Sequence, residues 1–191
     1  MHPPPPDRID LGDVVLRRWE PDDAPALAAA AAAALDHLAP WMVWATPEGA
    51  TESAMATFIA ETTARSADGS EQIYGIVDGA DGSVLGGTGL HDRLGGGGLE
   101  IGYWLAPTAT GRGLMTRIAG HLTDLALRLE GIERVEIHCD EANVRSAAVP
   151  RRLGYRLDRI VDSPRPQAPA DTGRDLIWVR TEPVGAAGTT T

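Results

Sequence analysis

The segment running from Glu100 through Ile-Gly-Tyr-Trp-Leu-Ala-Pro-Thr-Ala-Thr-Gly-Arg-Gly-Leu to Met115 constrains the fold more than any other. A β-strand pattern passes into a glycine-flanked turn and then into a long amphipathic helix. Gly111 and Gly113 allow positive φ and a close approach of backbone to ligand. The first amides of a helix starting near Arg112 have no intrahelical acceptor, so they point at whatever anion sits there. Arg112 adds a mobile positive charge. Taken alone, Gly-x-Gly before a helix is also an ordinary strand-to-helix turn, so its surroundings must decide what it is for.

Those surroundings order themselves around one sheet. Val14 to Trp19 reads as a strand, and Pro21-Asp-Asp-Ala24 starts a helix that the alanine run carries through Leu38. A connector with Trp41 and Trp44 leads to a second helix, about Thr51 to Arg65, with Met55, Phe58, Ile59 and Thr62 on one face. Gln72–Val77, Val84–Leu90 and Leu99–Leu105 are strands whose glycine-rich turns favour antiparallel pairing. Helix follows from Arg112 to about Leu129, with Leu114, Ile118, Leu122, Leu125 and Leu129 as its apolar stripe. Val135–Cys139 is a strand, Ser146–Leu153 a short helix, and Tyr155–Val161 and Leu176–Arg180 the last strands. The order predicts an α+β fold around one mixed sheet. A doubly wound dinucleotide fold would place its glycine fingerprint after the first strand, whereas here it follows the fourth. Residues 1–11 and 183–191, rich in proline or in small residues, are expected to be tails around a domain at 12–182.

Composition excludes several chemistries. A net charge of −10 opposes general nucleic-acid binding. All 17 basic residues are arginine, which rules out a lysine nucleophile or Schiff base. One cysteine, Cys139, cannot form an intrachain disulfide and fits a reducing compartment. With no membrane-spanning run and no signal-peptide pattern, a cytoplasmic protein is expected. No metal site is expected, because the chain has neither His-x-x-x-His nor Cys-x-x-Cys spacing. A Gly-x-Ser-x-Gly elbow is likewise missing.

Three segments together resemble the Gcn5-related N-acetyltransferases (GNAT), in the branch of the ribosomal-protein N-terminal acetyltransferases RimJ and RimL. They are His37-Leu-Ala-Pro-Trp-Met-Val-Trp-Ala45, Glu100–Leu105 with Gly111–Leu114, and Asn143-Val-Arg-Ser through Leu-Gly-Tyr155. The resemblance spans roughly residues 12–180. It implies a mainly antiparallel sheet flanked by helices, whose fourth and fifth strands splay around acetyl-CoA as cosubstrate. It further implies that Tyr103, Trp104 and Leu105 pair with the pantetheine arm. Thr110, Gly111, Arg112, Gly113, Leu114, Met115 and Thr116 would then hold the pyrophosphate. Thr108 and Thr110 depart from the glutamine or arginine common at those places in the family. Asn143 is implied to bond the pantetheine, and Ser146 to protonate the departing thiolate; a serine here also serves as a helix cap.

The acceptor amine must lose a proton before it attacks. Glu100 is the first expectation for that role and Asp162 the second. Trp41, Trp44 and His91 are expected to line the acceptor pocket and, of Arg145, Arg151 and Arg152, Arg151 or Arg152 to face the adenosine phosphates, while His138 is expected to pack in the sheet. The acceptor is a primary amine, either a protein N-terminus or a small molecule. Two rival readings stay open, aminoacyl transfer from charged tRNA on the same fold and a noncatalytic CoA-binding module. A homodimer is a further partner expectation, and no membrane partner is expected.

Overall fold

The computed structural model describes residues 5–67, 71–163 and 168–186. The chain opens with β1 (Arg8–Asp10) and β2 (Val14–Arg17), then passes through α1 (Ala24–Ala33), α2 (Leu35–Leu38) and α3 (Glu52–Ala67). An antiparallel meander follows: β3 (Glu71–Asp78), β4 (Val84–His91) and β5 (Gly98–Leu105). It continues with α4 (Leu114–Ala126), β6 (Arg134–Asp140), α5 (Val144–Arg152), β7 (Arg156–Asp162) and β8 (Arg174–Arg180). All eight strands form one sheet in the order β1-β2-β3-β4-β5-β6-β8-β7.

The pairing is antiparallel except between β5 and β6, which run parallel. That pair shares only Gly98↔Arg134, Leu99↔Val135 and Glu100↔Glu136, after which the two strands diverge. The expected splay therefore falls between β5 and β6. It is one strand later than the count from the sequence because β1 precedes it.

Packing explains why the sheet takes this shape. On one face, Leu114, Ile118 and Leu122 of α4 are buried against Tyr74, Ile76, Leu90, Ile101 and Ile137. On the other, α1 and α3 bring Leu27, Met55 and Ile59 onto Trp19 and Ile73. Trp19 lies so close over β3 that a Cβ at Gly75 would fall 2.7 Å from its ring. Glycine is required there for lack of space.

Several boundaries differ from the sequence reading. The expected N-terminal tail contains β1, because Ile9 opposite Leu16 has a place in the core and Tyr74 donates from its hydroxyl to the carbonyl of Pro6. Residues 1–4 lie outside the described residues. The alanine-rich helix breaks at Ala34 (φ −102, ψ 2), which lets α2 turn Leu38 into a small cluster with Ala34 and Ala45. Helix α4 starts at Leu114, two residues later than expected, because Gly113 adopts left-handed backbone (φ 71). In the expected C-terminal tail, Val184–Ala186 forms a 3-10 turn. The Val184 amide donates to Asp124, and Arg180 donates to the carbonyls of Glu182 and Pro183.

Candidate active site

Where β5 and β6 part, a groove of about 1270 Å³ opens. Tyr103, Trp104 and Leu105 form one wall, Asn143 and Ser146 the opposite one, and Thr110, Gly111, Gly113, Leu114, Met115 and Thr116 one end. Beyond Glu100, β5 has no strand partner on the β6 side among the described residues, so backbone groups along that edge face the groove. Gly111 (φ 76) and Gly113 (φ 71) both take left-handed backbone, and a Cβ at either meets nothing within 4 Å. They serve the turn's shape. The N-cap of α4 has no side-chain hydrogen bond, leaving its first-turn amides as donors for an anion.

Two helical stripes complete the walls. Arg117, Gly120, His121 and Asp124 line the groove from α4, and Arg145, Ala148, Val149 and Arg152 line it from α5. Both follow the spacing i, i+3, i+4, i+7, the repeat of a single helix face. The groove thus carries Arg117, Arg145 and Arg152 against Asp124, a basic lining in a protein whose net charge is −10. Arg117 is tied to Asp13 at 2.5 Å.

Ser146 is not the helix cap. Asn143 is, its Oδ1 accepting from the Ser146 amide at 3.1 Å, so α5 begins before the serine. That leaves the Ser146 hydroxyl 3.1 Å from the Tyr103 hydroxyl, which also donates to the Ser146 carbonyl at 3.2 Å. Burial pushes the Tyr103 phenol well above its usual range, only partly opposed by the bond to Ser146. The phenol is a protonated donor at neutral pH.

On the α1/α3 face the same strands carry a row of ionisable groups. Cross-strand register places Glu71, His91, Glu100 and Glu136 side by side on β3, β4, β5 and β6. Glu100 is buried, and Arg93 grips it with two bonds, Nε to Oε2 at 2.8 Å and Nη2 to Oε1 at 2.6 Å. Glu136 receives Arg134 at 2.9 Å and His138 Nε2 at 2.7 Å, while His138 Nδ1 lies 3.6 Å from Glu100. Glu71 receives Arg65 at 2.5 Å and His91 Nδ1 at 2.8 Å. Burial raises the carboxyl pKa of both Glu71 and Glu136, but these donors outweigh it and hold both below the usual value. Trp104 lies further along this face, edge to face with Trp44 at 5.8 Å.

Of the residues expected from sequence, Tyr103, Trp104, Leu105, Thr110, Gly111, Gly113, Leu114, Met115, Thr116, Asn143, Ser146 and Trp41 come together around the groove. The others do not line it. Glu100 lies behind its ion pair with Arg93. Asp162 is exposed at the end of the edge strand β7, opposite Arg174. Arg112 points to solvent, and Arg151 stacks on Trp178 with its guanidinium 5.2 Å from the ring centroid. Trp44 supports Trp104, and His91 sits on the sheet beside Glu100. Of the three arginines considered from sequence for the adenosine phosphates, Arg145 and Arg152 line the groove. They stand seven positions apart and so share a helix face, whereas Arg151 is turned about 100° away.

Comparison with known proteins bears directly on this arrangement. The profile of the acetyltransferase (GNAT) domain matches residues 13–156. The Bacillus subtilis (strain 168) protein YdaF, provisionally named a ribosomal N-acetyltransferase, is 31% identical over 146 residues, 74% of this chain and 77% of its own length. The solved structure of RimL, a ribosomal L7/L12 alpha-N-protein acetyltransferase in complex with coenzyme A, aligns with a TM-score of 0.81 at 20% identity, covering 93% of this chain and 99% of its own. The microcin C7 self-immunity acetyltransferase MccE, in complex with acetyl-CoA and AMP, aligns with a TM-score of 0.82 at 19% identity, covering 93% and 98%. These two structures share the fold. The profile match and the YdaF relationship place the chain in the GNAT acetyltransferase family, a family of acyltransferases.

Proposed function

We propose that this protein transfers the acetyl group of acetyl-CoA to the primary amine of a protein N-terminus by direct attack, with both substrates bound at once. The observation that carries the donor assignment is the groove. It pairs a β5 edge that runs past its last pairing with β6, suited to an amide-bearing arm, with a helix start behind two left-handed glycines, suited to a pyrophosphate. Arg145 and Arg152 add positive charge along the path of a phosphorylated ligand. RimL and MccE, of like fold, hold coenzyme A and acetyl-CoA, which supports the same donor here. The acceptor class rests on the likeness to YdaF, whose provisional name specifies ribosomal N-acetylation.

In this reading the neutral amine attacks the thioester carbonyl carbon, the C–S bond breaks, and the departing thiolate takes a proton from Ser146, backed by Tyr103. Cys139 is buried in the core under the sheet, and no covalent acyl-enzyme is invoked. Titration calorimetry with acetyl-CoA tests the donor site. Saturable binding should be lost in Gly111→Trp, whose backbone must leave φ 76 and so disrupt the turn. Mass spectrometry of short peptides with free N-terminal Ser or Ala then tests the acceptor. A folded wild type that binds no acetyl-CoA overturns the reading.

A further inference from the structure

The α1/α3 face of the sheet holds five buried or half-buried ionisable side chains near the splay, and their partners separate them. Both oxygens of Glu100 are engaged by Arg93. Glu136 is shared among Arg134, Arg159 and His138. Glu71 is shared between Arg65 and His91. His138 lies between two carboxylates, Glu136 at 2.7 Å and Glu100 at 3.6 Å. An ionised carboxylate can only accept, so Glu71 fixes the proton of His91 on Nδ1 and leaves Nε2 with a lone pair. Among the described residues Nε2 has no hydrogen-bond partner.

The position of that lone pair is set by glycine. A Cβ at Gly102 would lie 3.0 Å from His91 Nε2, and one at Gly89 would lie 3.4 Å from it. Gly89 and Gly102 are cross-strand partners, as are His91 and Glu100, and Gly87 and Trp104. The imidazole therefore lies against the sheet over Gly102, between the ion pair Glu100–Arg93 and the indole of Trp104. Gly102 is also among the first residues of β5 past the last β6 pairing, and its chain neighbour Tyr103 forms the groove wall.

We infer that His91, oriented by Glu71, is the group that takes the proton from the acceptor amine. The inference rests on the acetyl-transfer reading above and names the proton acceptor that reading needs. As the amine nitrogen bonds to the acetyl carbon and sulfur departs, the N–H proton passes to Nε2 and then to solvent, while the thiolate is protonated from the Ser146 side. Glu71 and, through Arg93, Glu100 act as positioning residues. The groups facing the ring are Glu71 on β3, Arg93 after β4 and Glu100 on β5, with Arg65 of α3 behind Glu71. Burial holds the imidazole below its usual pKa despite the bond to Glu71, so it is neutral at pH 7.

The test uses the full chain, acetyl-CoA and short peptides with free N-terminal Ser or Ala. His91→Gln should lower kcat by about 10²- to 10⁴-fold with acetyl-CoA binding unchanged, the usual range for loss of a general base. The wild-type kcat profile should rise with pH through a limb below about 6.5, the ordinary histidine value, and His91→Gln should abolish that limb. Free imidazole should partly restore His91→Ala. In wild-type protein, long-range ¹H–¹⁵N spectra should show the His91 tautomer protonated on Nδ1 at pH 7, a readout independent of the acceptor. Wild-type kcat in His91→Gln, or an imidazolium at pH 7, overturns the inference and leaves acetyl transfer standing. Failure of the wild type to bind acetyl-CoA instead overturns the acetyl-transfer reading and the inference with it.

Discussion

At the scale of single residues, the proposed protonation of the leaving group turns on the contact between Tyr103 and Ser146. A serine hydroxyl is a poor acid in isolation, and in the proposed reaction this one, 3.1 Å from the Tyr103 hydroxyl, is reprotonated through it as the thiolate takes its proton. On that reading the two hydroxyls form one relay, so their variants should not add. Ser146→Ala and Tyr103→Phe are each expected to reduce kcat about 10²-fold or more, with the double variant little worse than either, measured at saturating acetyl-CoA. Ser146→Ala should leave thermal stability nearly unchanged, because the cap of α5 belongs to Asn143. The sequence could name serine, asparagine and tyrosine as a group. It could not assign the cap, since Asn-x-x-Ser permits a helix start at either residue. Glycine was the neglected signal. Gly87 and Gly89 alternate along β4, the pattern of a strand face on which something else must lie, and Trp104 at Gly87 and Ile73 with His91 at Gly89 occupy it.

Among elements, the junction of β6, α5 and the β7–β8 connection depends on one carboxylate. Asp140 is 6% exposed and accepts from the amides of Ala142, Thr172 and Gly173 and from the Thr172 hydroxyl. Burial raises its pKa, but the three amides and the hydroxyl outweigh that and leave the carboxyl below its ordinary 3.8. The sign follows directly. The unfolded chain binds the proton at higher pH than the folded one, so the stabilisation is complete above the unfolded pKa and is lost as pH falls through the folded value. Urea unfolding should therefore show wild-type stability dropping below about pH 4, near the unfolded aspartate value. Asp140→Asn should cost about 1.5–3 kcal/mol at pH 7, the range for hydrogen bonds to a charged group, and show a shallower acid limb. Element identity and order were legible because the α4 stripe and the meander strands follow simple periods. Their ends were less so. The break at Ala34 and the late start of α4 are set by burial of Leu38 and by the left-handed backbone of Gly113, both tertiary facts. The β7 strand is exposed along nearly its whole length and carries no alternating buried pattern.

Over the whole molecule, the sheet is two half-sheets joined by very little. Strands β1–β5 meet β6–β8 through three residue pairs, and α4 and the core beneath it supply the rest of the connection. This is the arrangement that creates the groove, and it leaves the edges of β5 past Glu100 and β6 past Glu136 without strand partners toward each other. A ligand seated there substitutes for the missing pairing and bridges both halves. Linkage fixes the size of the effect, since a ligand at 100 times its Kd that binds only the folded chain adds about 2.7 kcal/mol. For a chain of this length that corresponds to a rise in Tm of about 5–10 °C. The distribution of the effect is more diagnostic than its size. Amide exchange should slow on binding of acetyl-CoA at 101–105 in β5, at 111–117 across the loop and α4 start, and at 143–146. Strands β1 to β3, which the groove does not reach, should change little. Uniform slowing throughout the sheet would mean that the ligand acts only through global stability. Protection confined to those three segments would show that the opening between β5 and β6 is the binding site itself.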